Sequence, residues 1–117
     1  QCLQCENRRE RRSNSKSKEM NILENIVFNT DKPSVVQIKN SDKIKYFAVG
    51  LGNSAVLKKH STAVPTTVTV LKGEINIIFS DREYTLKEFD IFDIPVDEVH
   101  EVVGILASNL FTVTKEL

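Results

Sequence analysis

The sequence predicts an all-β protein, built as a sandwich or a barrel. Three observations lead there. Runs rich in Val, Ile, Thr and aromatic residues recur along the chain. Turn-forming residues interrupt them roughly every eight to twelve residues. No ten-residue stretch shows the apolar periodicity of an amphipathic helix.

The elements follow in order from Met20, where apolar patterning begins. Ile22, Leu23, Ile26, Val27 and Phe28 form an opening apolar patch, either one short helical turn or an edge strand. Asp31-Lys32-Pro33 is a turn, because proline fixes φ and lacks the N–H that a central ladder needs. Val35-Val36-Gln37-Ile38 reads as a strand, and Lys39-Asn40-Ser41-Asp42 breaks it. Residues 43–49 read as the next strand, with Ile44, Tyr46 and Ala48 on one face and Lys43, Lys45 and Phe47 on the other. Gly50, Gly52 and Asn53 turn the chain again. The centre, 66–71 and 75–79, is richest in β-branched residues, and Lys72-Gly73-Glu74 joins the two runs as an expected hairpin. Ser80-Asp81-Arg82 leads into 83–86, and runs at 91–94, 100–103 and 110–113 complete the set.

A length of 117 residues supports one domain, expected over 20–117. A chain of this size buries roughly two thirds of its unfolded surface and needs no disulfide to hold a core. Its formal net charge of zero favours neither nucleic acid nor a membrane surface as a partner. No apolar run approaches the ~18 residues that span a bilayer, and no apolar segment follows the basic start as in a secretory signal. The expected location is cytoplasmic.

The zero charge conceals an asymmetry. Residues 1–19 carry six basic against three acidic residues, a net +3, which leaves the body at −3. That segment is polar and nearly free of large apolar residues, so it cannot bury enough surface to offset its ordering entropy. It is expected to be a tail, disordered or not native, with the native polypeptide starting at Met20, the only methionine. Cys2 and Cys5 form a Cys-x-x-Cys pair there. A structural zinc needs four ligands, and no second pair exists, so the two are read as exposed thiols.

Two stretches bear on chemistry. Gly52 lies upstream of His60-Ser61-Thr62-Ala63-Val64-Pro65-Thr66, and six residues then lead to Gly73. Further on, Phe89 is followed after five residues by Pro95, then Asp97, His100 and Gly104. The spacing resembles the two signature motifs of the cupin family. In the first, Thr62 stands for a histidine and Thr66 for a glutamate. In the second, Phe89 and Asp97 stand for glycines and Gly104 for an asparagine. The resemblance covers roughly residues 44–116. It implies a double-stranded β-helix, the cupin or jelly-roll barrel, with both motifs lining one end. It also implies a homodimer.

Residues at i and i+2 on a strand share a face. His60 and Thr62 are therefore expected to face the barrel interior together, as are Thr66, Val68 and Val70. A metal-binding cupin supplies three imidazoles and one carboxylate, a set that suits divalent transition metals. This chain keeps His60 and His100 as candidate metal ligands and has threonine at the other two positions. No cofactor is assigned on that basis, and a divalent transition metal at His60 and His100 stays a lesser alternative.

The expected role is therefore a module that binds a small polar ligand in the barrel cavity through His60, Thr62, Thr66, His100 and Tyr46. The alternative is a cupin enzyme, metal-dependent or metal-free, of the oxygenase, isomerase or sugar-epimerase type. It would use His60 and His100 as acid and base, with Tyr46 and Tyr84 as available phenols.

Overall fold

The computed structural model describes residues 19–117. The Cys2/Cys5 pair and the basic run of residues 8–12 lie outside the described residues. The opening apolar patch begins as one helical turn, α1 (Ile22–Asn25), started by the Asn21 carbonyl, which accepts from Glu24 N at 3.2 Å. Strands follow: β1 (Ser34–Asn40), β2 (Ile44–Leu51), β3 (Val56–His60), β4 (Thr66–Lys72), β5 (Glu74–Phe79), β6 (Glu83–Lys87), β7 (Ile91–Ile94), β8 (His100–Gly104) and β9 (Asn109–Glu116).

They form a five-stranded sheet, β1-β2-β9-β4-β7, and a four-stranded sheet, β3-β8-β5-β6. All pairings are antiparallel. Alternation places Thr66, Val68 and Val70 of β4 inward, facing Ile75, Ile77 and Phe79 of β5. Val49, Leu51, Val102 and Phe111 close the same core. The protein is thus nearly all β, a double-stranded β-helix.

Two local expectations are corrected. The runs at 66–71 and 75–79 do not form a hairpin. β4 pairs with β7 and β9, while β5 pairs with β6 and β8. Residue 73 is instead a corner where the chain passes from one sheet to the other. Its φ of +79° favours glycine, and a Cβ there would strike the Ser108 carbonyl oxygen. The second correction concerns β2. Phe47, Val49 and Leu51 face the barrel core, while Ala48 packs outward under Ile26 and Leu110. The segment after α1 covers that outer face, so both sides of β2 are apolar and alternation alone does not reveal which is inside.

Asn109 opens β9 and is completely buried. Its Oδ1 accepts from Glu74 N and Leu106 N, each at 3.0 Å. Its Nδ2 donates to the carbonyls of Leu51 at 2.9 Å and Leu106 at 2.7 Å. All four side-chain positions are used. Gly104 makes the room: a Cβ there would lie 2.7 Å from Asn109 Nδ2 and 2.5 Å from the Gly52 carbonyl.

Candidate functional site

β3 and β8 bring the two histidines together, and a bulge sets their alignment. Leu57 pairs with Val102 and His60 with His100, so Lys58 and Lys59 stand opposite the single residue Glu101. The extra residue lets Leu57 and His60 both line the interior although they are three apart. His60 ends its strand and is exposed, whereas His100 is only 3% exposed.

The ring centroids lie 4.5 Å apart with planes tilted by 56°. Each ring is fixed by its own chain: His60 Nδ1 lies 2.7 Å from the Lys58 carbonyl oxygen, and His100 Nδ1 2.9 Å from that of Glu98. A carbonyl only accepts, so Nδ1 carries the hydrogen in both rings. In the neutral rings, Nε2 is left as a lone-pair acceptor. Burial lowers the His100 pKa below the ordinary imidazole value. The bond to the Glu98 carbonyl opposes that shift, and the positive charges of His60 and Lys115 add to it.

Thr62 does not lie on the strand of His60. It sits in the loop that follows, and its buried hydroxyl comes inward from there. Thr66 Oγ1 donates to the Val64 carbonyl at 3.0 Å and lies 3.4 Å from Thr62 Oγ1. The Asp97 amide donates to the Thr62 carbonyl at 2.8 Å, tying this loop to the turn before His100. That turn is held further by Arg82. It reaches Glu98 Oε1 at 2.6 Å and lies over the Phe79 ring at 4.3 Å. Hydrogen bonds to Glu98, then Asp81 and Tyr84, keep the guanidinium charged.

His60, Thr62, Thr66 and His100 therefore line one cavity, whose remaining wall is largely apolar. Tyr46 does not. It occupies the face of β2 opposite Phe47, and Phe47 takes the interior position. Tyr84 also stays outside, on β6, where its hydroxyl accepts from Arg82 Nε at 3.1 Å. Lys115 was not foreseen as a lining residue. It follows Phe111 and Val113 at a spacing of two along β9, and extending that alternation would have found it. The cavity measures about 40 Å³. That is close to the share of one water molecule in the liquid, roughly 30 Å³.

A transition metal of the kind cupins hold does not fit this donor set. Among the described residues no group of three His, Cys, Asp or Glu side chains comes together. The two further ligand positions carry hydroxyls already hydrogen-bonded to the 62–66 loop. Two imidazoles fall short of the three protein ligands usual in catalytic sites. Among the described residues, no helix is long and apolar enough to cross a membrane.

No family model and no curated protein matches this chain. Solved structures do. A cupin superfamily protein from Desulfitobacterium hafniense superposes with a TM-score of 0.75 at 15% identity, covering 87% of this chain and 93% of that one. An RmlC-like cupin protein from Desulfovibrio desulfuricans gives 0.74 at 19% identity, covering 86% and 96%. A conserved protein with a double-stranded β-helix domain from Klebsiella pneumoniae gives 0.75 at 15% identity, covering 86% and 90%. At this identity the likeness speaks for architecture, and with the two motifs at one end of the barrel it is consistent: the chain has the cupin fold, in its small double-stranded β-helix form.

Proposed function

We propose that the protein binds a small, partly polar molecule at the histidine end of the barrel. His60 and His100 would receive its hydrogen-bond donors, and Thr62 and Thr66 would shape the inner wall. The observation that carries this is the state of the two rings. Each gives its Nδ1 hydrogen to a backbone carbonyl, which leaves two acceptors on rings 4.5 Å apart. Side-by-side acceptors suit a ligand group with more than one donor, such as a diol or an amine. A cavity of about 40 Å³ admits only the tip of such a molecule, so its body would lie at the mouth, where His60 is exposed. The apolar lining with few polar groups is typical of ligand sites.

A thermal-shift screen of small polyols and amines tests this, run on the wild type and on His60→Gln and Thr66→Val. Compounds that raise the midpoint of the wild type and lose the effect in His60→Gln are expected. Compounds that act equally on all three proteins, or no active compound at all, would overturn the proposal.

A second reading, metal-free acid–base catalysis, draws on His100 alone. A buried imidazole with a lowered pKa is neutral near pH 7, as a general base must be. Incubation with sugar nucleotides in D₂O separates the two. Deuterium incorporation that His100→Gln abolishes indicates catalysis, and binding without exchange indicates a module.

A further inference from the structure

We infer that a second groove, outside the barrel and next to His60, binds an organic anion. The groove measures about 540 Å³, within the roughly 300–1,000 Å³ of ordinary small-molecule sites. It runs between β3 and the turn that precedes β1. Lys58 and Lys59 enter from β3 and Lys32 from the turn. Pro33, Val56 and Leu57 supply apolar wall, and Asp31 is the one acidic residue. The groove thus carries three cationic side chains against one anionic one, on a body whose net charge is −3.

None of the three lysines takes part in a salt bridge among the described residues, where Arg82 forms the ion pairs. The bulge in β3 matters here. It inserts Lys58 and Lys59 side by side between Leu57 and His60, and both line the groove. Lysines commonly guard an edge strand against pairing, and β3 is an edge strand. Edge protection accounts for Lys58 and Lys59 but not for Lys32, which arrives from another segment to meet them. A ligand with a carboxylate or phosphate and a small apolar body matches all three lysines and the apolar wall.

The groove shares Leu57 and His60 with the barrel cavity, and the remaining residues of each separate the two in one experiment. ¹H–¹⁵N spectra of the full chain would be recorded with benzoate, phenyl phosphate and benzyl alcohol. Both anions are expected to shift the amides of Asp31, Lys32, Val56, Lys58 and Lys59, which line the groove and not the barrel cavity, with benzyl alcohol leaving these signals in place. Exposed ion pairs contribute little each, so Lys58→Gln/Lys59→Gln should weaken anion binding by about tenfold. Added salt should weaken it further. The tighter of the two anions identifies carboxylate or phosphate as the preferred head group. Equal shifts with benzyl alcohol, anion shifts confined to other surfaces, or undiminished affinity in the double variant would overturn the inference. Shifts at Thr66 and His100 report on the barrel cavity alone.

Discussion

His60 and His100 are direct partners across the β3–β8 ladder, and their rings lie 4.5 Å apart at its end. One ring is exposed and the other buried, so paired residues of the same type have unequal environments. Lys115 lines the same cavity, and Glu98 binds His100 through its carbonyl.

The first consequence is a dependence on pH. An unfolded histidine takes up its proton near pH 6.5, whereas folded His100 does so at a lower pH. Between these two values the unfolded chain holds more protons, so stability rises with pH. The contribution of neutral His100 is complete above the unfolded value and is lost as pH falls toward the folded one. Urea midpoints should therefore drop from pH 7 to pH 5, and His100→Gln should remove part of the drop. An unchanged pH profile in His100→Gln would count against a buried neutral ring.

The second concerns truncation. From sequence, both rings are cavity-lining groups of equal standing. With His60 exposed, His60→Ala should change stability by no more than about 0.5 kcal/mol. His100→Ala removes a side chain packed against Phe79 and His60 and should cost about 2 kcal/mol. Equal losses in chemical denaturation would contradict the difference in burial.

Metal content gives a third check. The donor set is half of a cupin centre, so elemental analysis of the purified protein should find transition metal well below one equivalent. A near-stoichiometric metal that disappears in both His60→Ala and His100→Ala would mean that a ligand outside the described pair completes the site.

A fourth prediction follows from Asn109. Asn109→Ala would leave two partly buried amides and two carbonyls without their partner, at a cost of about 3 kcal/mol. Gly104→Ala would press a methyl against the Gly52 carbonyl and Asn109, costing about 2 kcal/mol. Urea unfolding measures both, and a neutral Asn109→Ala would show that water replaces the side chain.

A fifth prediction concerns Phe89, whose φ is +73° and whose side chain is 79% exposed. Phe89 and Asp97 stand at two positions where the cupin motif has glycine, and both keep a left-handed backbone, Asp97 with a φ of +66°. A bulky residue there is strained and gains little burial in return. Phe89→Gly should raise stability by about 1 kcal/mol. Asp97→Gly should raise it less, because aspartate tolerates this region. A loss of stability in Phe89→Gly would point to a packing role for the ring.

Much of this architecture was legible from residue pattern. The alternation in 66–70 located the inward face of β4, and the histidine spacing brought four candidate residues to one cavity. What stayed hidden has physical reasons. β3 carries three polar residues in five, so it has no apolar alternation to detect. Its bulge changes which residues share a face, a shift that spacing rules do not contain. Tyr46 and Phe47 exchanged places because the segment after α1 covers the outer side of β2. The corner at Gly73 resembles a hairpin locally, since β4 and β5 find their partners far along the chain. Asn109 is a single polar residue whose importance lies entirely in long-range bonds.

β9 lies at the middle of its sheet, between β2 and β4, although it is last in sequence among the strands. While the polypeptide is being synthesised, β2 and β4 must wait for residues 109–116 before either gains this neighbour. At roughly 5–20 residues per second, the delay after β4 is made amounts to a few seconds. During that interval β2 can pair only with β1, and β4 only with β7, so each has one open edge, and the larger sheet can zip up only once residue 116 is free of the ribosome. A transcript cut short before the codon for Asn109 would yield a polypeptide unable to complete its larger sheet, and aggregation or proteolysis would be its expected fate.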